Sequence, residues 1–153
     1  MLIERLCSSL AAHRVPYALV GGHAVALYGA VRGTVDVDFV IQWSRKNLLQ
    51  AEKALSECGL VSRLPISAKD VFEFRDEYIR NRNLIAWSFW NPRDPGEQVD
   101  LLINYDLTGH RVRRIRAQVG PIRLLNVEDL IKMKRASGRD QDLADVAALE
   151  KLR

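Results

Sequence analysis

Leu2, Ile3, Leu6, Leu10 and Ala11 recur at helical spacing, so the chain opens on an amphipathic helix over 2–13. The run Tyr17 to Val20 is short and apolar and ends in Gly21-Gly22, the pattern of a strand that turns abruptly into a helix over His23 to Tyr28. Gly29 and Gly33 bracket a second turn, and a strand follows over Val35 to Ile41. Leu48, Ala51, Leu55 and Cys58 make one stripe of a helix over 45–58, with Lys46, Glu52, Lys53 and Glu57 mostly off it and Gly59 as its stop.

Residues 62–70 are polar and interrupted by proline, after which strands are predicted over Val71 to Arg75 and Leu84 to Trp90. The segment NPRDPG, Asn91 to Gly96, is a turn. It leads into QVDLLINYD, where Val99, Leu101 and Ile103 share one face and Asp100 takes the other. Asn126 caps a helix beginning near Val127, with Glu128 and Asp129 at its positive end and Leu130, Ile131, Met133 and Lys134 continuing it. SGRDQDL breaks this helix before a last one through Leu143, Val146, Ala147 and Leu149. Met133 is expected to fill a gap in the core.

A length of 153 residues suits one domain over 1–153, with 126–153 as its helical C-terminal part. Hydrophobic residues at 48% and charged residues at 27%, with no low-complexity run, exclude a disordered chain. The apolar runs are too short to span a membrane, and the N-terminus lacks a long apolar signal core, so the expected location is cytoplasmic. Cys7 and Cys58 fall within predicted helices without metal-site spacing and are expected to be buried thiols.

The net charge of +4 permits attraction to triphosphate or RNA. Its densest contribution is HRVRRIR, His110 to Arg116, with Arg111 and Arg113 on one strand face and Arg114 and Arg116 on the other. This segment suits a solvated sheet edge, a protein-binding surface or a nucleic-acid contact, and no aromatic residue interleaves with the arginines to stack on bases.

The candidate chemistry lies at Asp36 and Asp38. Two residues apart on a strand, they leave on the same face and offer a two-pronged oxygen site to a hard cation such as magnesium. Asp100 repeats the pattern of a carboxylate in a strand-forming run, and completes a three-carboxylate cluster if the two strands are neighbours. Gly21 and Gly22 allow close backbone approach of phosphate, or simply form a tight turn. The segment is neither a Walker loop nor GxGxxG. Arg32 either reaches a triphosphate or locks its loop to a carboxylate, Thr34 is read as a turn stabiliser, and His23 takes a helix-start or packing role in preference to a phosphate contact.

The GG at 21 and 22, RGTVDVDF from Arg32 to Phe39 and QVDLL from Gln98 to Leu102 together resemble the minimal nucleotidyltransferases of the polymerase-beta-like superfamily. The tail LLNVEDLIKMKRASGRDQDLADVAAL is similar to that of the AbiEii-like toxin–antitoxin-associated group. The resemblance implies an α/β (α+β) fold, a mixed sheet flanked by helices with a C-terminal helical part. It also implies transfer of a nucleoside monophosphate from a nucleoside triphosphate to a protein or RNA hydroxyl with Mg2+ as cofactor, releasing pyrophosphate.

Carried onto this chain, Asp36, Asp38 and Asp100 would be the catalytic and metal-binding carboxylates. Gly21, Gly22, Arg32, Lys134 and Arg139 would bind the nucleotide, whereas Asp142 and Asp145 would stabilise the helical part. Gly22 stands where many superfamily members have serine, so phosphate would depend on backbone amides and nearby basic groups. The implied partners are a nucleoside triphosphate, a cognate toxin or antitoxin protein and an RNA acceptor. The alternative is a non-catalytic antitoxin-like protein-binding module on the same fold.

Overall fold

The computed structural model describes residues 1–30, 33, 36–117 and 120–153. Helix α1, Leu2–Ala12, buries Ile3, Leu6 and Leu10 as their spacing anticipates, with Cys7 beside them, while Leu2 is half-buried and Ala11 exposed. Strand β1, Tyr17–Val20, is buried along its whole length and passes directly into helix α2, Gly21–Leu27. Strand β2, Val37–Ile41, is followed by helix α3, Arg45–Glu57, whose N-terminus is capped by Ser44 Oγ accepting from the Asn47 amide at 3.0 Å.

The next stretch departs from expectation. After strand β3, Val61–Ser62, come two helices, α4 over Ala68–Glu73 and α5 over Arg75–Arg82, where a strand over Val71 to Arg75 was predicted. The alternation of Val71, Phe72 and Phe74 with acidic residues resembles a strand, yet Ser67 and Asp70 form a reciprocal capping box that nucleates a helix. Ala68 and Val71, three apart, are the buried face, and Phe74 stays largely exposed.

Strand β4, Ala86–Asn91, forms a hairpin with β5, Asp94–Leu102, and β6, Val112–Ala117, forms another with β7, Gly120–Leu125. Helix α6, Val127–Ser137, is capped by Asn126, whose Oδ1 accepts from the Asp129 amide at 2.9 Å, and α7, Asp140–Leu152, closes the described chain.

The strands make one mixed seven-stranded sheet in the order β3-β4-β5-β2-β1-β7-β6. β1 is antiparallel to β2 and parallel to β7, while β2 is parallel to β5. Trp87, Tyr17, Phe39 and Phe89 are the largest fully buried side chains. Tyr28 at the end of α2 donates its hydroxyl to the Leu125 carbonyl at 2.7 Å and ties that helix to β7. The basic segment becomes edge strand β6, paired on one side with β7, and Arg111, Arg113, Arg114 and Arg116 are all exposed. Cys7 is buried and Cys58 half-buried, and burial pushes the Cys7 thiol up to about 11. Among the described residues no helix is long and apolar enough to cross a membrane.

Candidate active site

Central strands β2 and β5 run parallel with Asp38 directly opposite Asp100. Paired residues on neighbouring strands leave on the same face, so two carboxylates from sequence positions far apart become adjacent. On the other side of β2, Asp38 pairs with Val20, the residue before the glycine turn.

Gly21 adopts a left-handed backbone, φ +70°, and a Cβ there would overlap the Asp38 carboxylate. The glycine thus permits an abrupt strand-to-helix turn and leaves room for an acidic side chain against the backbone. Gly22 is buried at the start of the helix.

Burial raises the proton affinity of Asp38, as do the neighbouring charges of Asp100 and Asp36. Lys134 opposes them, and a hydrogen bond with Asp100 raises the affinity again, bringing Asp38 to a pKa of about 7. Asp100 is fixed by Ser88 on β4, which lies opposite it in register and donates its hydroxyl to Asp100 Oδ1 at 2.6 Å. Sequence reasoning passed over Ser88. Its signal is a small hydroxyl between Trp87 and Phe89, on the opposite strand face from those buried rings.

Asp36 is exposed at the entry to β2. The Gln98 amide, oriented to satisfy both neighbours, donates to Asp36 Oδ1 at 3.2 Å and accepts from Arg63 at 3.0 Å. Arg63 in turn lies over the Trp90 ring, 5.3 Å from its centroid. Among the described residues no group of three or more His, Cys, Asp and Glu is arranged to hold a metal ion. The Asp38 and Asp100 pair fits a hard cation as two oxygen donors, since burial and the neighbouring Asp100 and Asp36 charges oppose ionisation of Asp38 and a cation offsets that repulsion. Arg32 lies outside the described residues, as does Thr34.

Asp38, Asp100 and Gly21 open into a cavity of about 680 Å³ that Lys134 and Arg139 also line. Lys134 is buried, with its ammonium 3.3 Å from Asp142 Oδ1 and 3.0 Å from Asp145 Oδ2. Arg139 precedes α7, and its largely exposed side chain donates from Nε to Asp142 Oδ2 at 2.8 Å. The basic pair therefore divides into a lysine committed to two buried carboxylates and an arginine with its charge at the surface. Asp142 and Asp145 hold the helical part together, as anticipated. His23 sits half-buried on α2 with Nε2 enclosed and without a hydrogen-bond partner.

No family model matches the chain, and no curated protein matches it. Solved structures do. An antigenic nucleotidyltransferase-like protein from Paracoccidioides brasiliensis superposes with a TM-score of 0.63 at 18% identity, over 98% of this chain and 74% of that one. The antibiotic-resistance factor ANT(2'')-Ia, in solution, gives 0.61 at 13% identity over 97% and 80% of the two chains. Its crystal structure in complex with adenylyl-2"-tobramycin gives 0.60 at 13% identity over 99% and 90%. The fold is that of the polymerase-beta-like nucleotidyltransferases. At these identities the likeness is one of fold, a mixed sheet flanked by helices; in this chain the C-terminal helices α6 and α7 pack on each other.

Proposed function

We propose that the chain is a magnesium-dependent nucleotidyltransferase that moves a nucleoside monophosphate from a nucleoside triphosphate onto a protein or RNA hydroxyl. The observation that carries this reading is the in-register pairing of Asp38 with Asp100 in a cavity that also contains the Gly21 turn and Arg139. ANT(2'')-Ia, solved with an adenylylated antibiotic, lends the reaction class on the same fold.

In this reading Asp38 and Asp100 hold the cation, with Asp36 completing the acidic edge. When bound, the cation supplies positive charge at the reacting phosphate and eases ionisation of the acceptor hydroxyl. Gly21 leaves room for the Asp38 carboxylate against the turn, so that the cation and the phosphate it holds meet the start of α2. Ser88 fixes Asp100 by one oxygen and orients it toward the acceptor, whose proton it attracts. The acceptor oxygen bonds to the α-phosphorus, the bond from that phosphorus to the bridging oxygen breaks, and pyrophosphate leaves. Arg139 offsets the charge of the departing group, while Lys134 positions the start of α7 through Asp142. The AbiEii-like affiliation belongs to the same proposal and is supported by the lysine, arginine and two aspartates of the C-terminal motif, which form one ion-paired cluster.

The test is incubation with labelled nucleoside triphosphates, magnesium and cell extract, comparing the wild type with Asp38→Asn. Label transferred to protein or RNA by the wild type alone supports the reading. Recovery of a stoichiometric partner that still binds Asp38→Asn, with no label transfer by either protein, favours the non-catalytic binding module instead.

A further inference from the structure

The cavity has a second end that the transfer chemistry leaves unassigned. Two elements connect the ends. On β5 and just beyond it, Asp100, Leu102 and Asn104 line the cavity at intervals of two, and Tyr105 follows. On α6, Asp129, Lys132, Met133 and Ala136 line it at helical spacing. Lys134 near the end of α6 belongs to the acidic end, where its charge acts on Asp38. Asp129, in the first turn, lies about 7.5 Å away along the helix axis at 1.5 Å per residue.

At that far end the side chains are aromatic and fixed. The Tyr105 and His110 rings lie 5.2 Å apart, tilted by 42°, and the Tyr105 hydroxyl is 3.2 Å from His110 Nδ1. His110 Nδ1 is also 2.8 Å from Asp129 Oδ2, and Asn126 donates to that oxygen at 2.6 Å. The Asn126 hydrogen bond, followed by that of His110, outweighs burial and keeps Asp129 below the usual carboxylate range, so it serves as an ionised acceptor for the imidazole N–H. The loop carrying both rings is anchored by the Leu107 amide on the Ile41 carbonyl at 3.0 Å and by the Trp43 amide on Asp106 at 2.9 Å. Tyr105 and His110 are the only aromatic rings on the cavity among the described residues, and Ile85, Leu102 and Met133 add apolar surface to its wall. Ile85 is 48% exposed and presents its side chain at the cavity.

With a cation held by Asp38 and Asp100, as the proposed function has it, a ligand matched to this cavity is anionic at that end and carries a flat ring at the other. We infer that Tyr105 and His110, the latter held by Asp129, form the shelf on which the nucleobase of the donor nucleoside triphosphate stacks. The inference rests on the nucleotidyl-transfer reading and assigns a part of the donor that reading leaves open. Tyr105 and His110 would touch the base, and Asp129 would act as a positioning residue through His110.

Calorimetric titration with each of the four ribonucleoside triphosphates and with inorganic tripolyphosphate, all in magnesium, separates the two ends. The wild type is expected to bind at least one nucleoside triphosphate more tightly than tripolyphosphate. Tyr105→Ala and His110→Ala should each weaken that nucleotide about tenfold or more, the usual scale for losing an aromatic platform under a base, and leave tripolyphosphate unchanged. Tyr105→Phe, which keeps the ring, should stay within about twofold of wild type. Unchanged nucleotide affinity in both alanine variants overturns the inference, even if acceptor-dependent transfer falls, because the shelf then belongs to the acceptor. A parallel loss of tripolyphosphate binding overturns it as well, by moving the effect to the phosphate end. A wild type that binds neither ligand overturns the nucleotidyl-transfer reading itself.

Discussion

Gly21 leaves no space for a side chain because the Asp38 carboxylate occupies the position a Cβ would take. The turn that places a helix directly after β1 and the packing of an acidic group beside β2 are one arrangement, and a single atom at Gly21 disrupts both.

Gly21→Ala is accordingly expected to lose about 1–3 kcal/mol of stability from the left-handed backbone and the overlap together. Gly96→Ala, with its nearest neighbour an ordinary contact at 3.7 Å, is the control and should stay near wild type. Urea unfolding of the two variants measures the difference. Equal midpoints would show that the turn tolerates a side chain and that Asp38 does not depend on its absence.

Asp38→Asn removes a charge whose ionisation burial and two neighbouring carboxylates oppose. In metal-free buffer at neutral pH the variant should be as stable as the wild type or more so. Adding magnesium should stabilise the wild type, by about 2.7 kcal/mol at a hundredfold excess over its dissociation constant, and leave Asp38→Asn unmoved. Thermal melts with and without magnesium decide it, and identical magnesium responses would count against a cation site at this pair.

Lys134 and Arg139 should separate in their effects. Lys134→Met strands Asp142 and Asp145 without their buried ammonium and is expected to cost about 3–5 kcal/mol. Arg139→Gln removes the more exposed of the two cations that hold the buried Asp142 and should cost less stability than Lys134→Met while weakening triphosphate binding. Chemical denaturation and nucleotide titration of both variants give the comparison. A stable Lys134→Met protein with lost nucleotide affinity would reverse the two roles.

The same cluster sets a pH dependence. Burial alone would raise Asp142, but the hydrogen bonds and charges of Arg139 and Lys134 together hold it below its ordinary value. Its contribution to stability is therefore complete above the unfolded value of about 3.9 and is lost as pH falls through the lower folded value. Asp142→Asn should be less stable than wild type at pH 7, and the gap should close on acidification toward pH 3. A gap of constant size in unfolding curves across that range would show that Asp142 does not couple to the ion pairs.

If β6 docks an RNA acceptor, neutralising Arg113, Arg114 and Arg116 should weaken RNA binding across sequences. The slope of log affinity against log salt should also flatten by roughly 0.7 for each lost phosphate contact to a single strand. Arg113 also lies over the Tyr28 ring, 5.5 Å from its centroid, so its replacement carries a packing cost that the other two do not. Filter binding at several salt concentrations would expose the effect, and unchanged slopes would leave β6 as a solvated sheet edge.

Local pattern specified much of this protein. The spacing of Ile3, Leu6 and Leu10 defined the buried face of α1, Tyr17 to Val20 defined β1 to the residue, and Asn126 marked the start of α6. In each case the signal lies within a few residues of the element it creates. The Val71 to Arg75 segment was misread because alternation over so short a run is equally available to a helix, and a hydrogen-bonded pair three residues apart, Ser67 and Asp70, decided for the helix. Of the candidate site, the sequence supplied Asp36, Asp38, Asp100 and the glycine turn as separate local features. It could not supply Ser88, which matters only because β4 lies beside β5 in a register that brings its hydroxyl to Asp100. The link between His110 and Asp129 likewise joins a loop to the first turn of a helix 19 residues on. Periodicity and capping are interactions between near neighbours, so the sequence determined elements and their faces. Which carboxylates meet, which cation is buried and where two rings share a cavity depend on strand order and register, which are set by contacts between distant segments and were decided only in the tertiary structure.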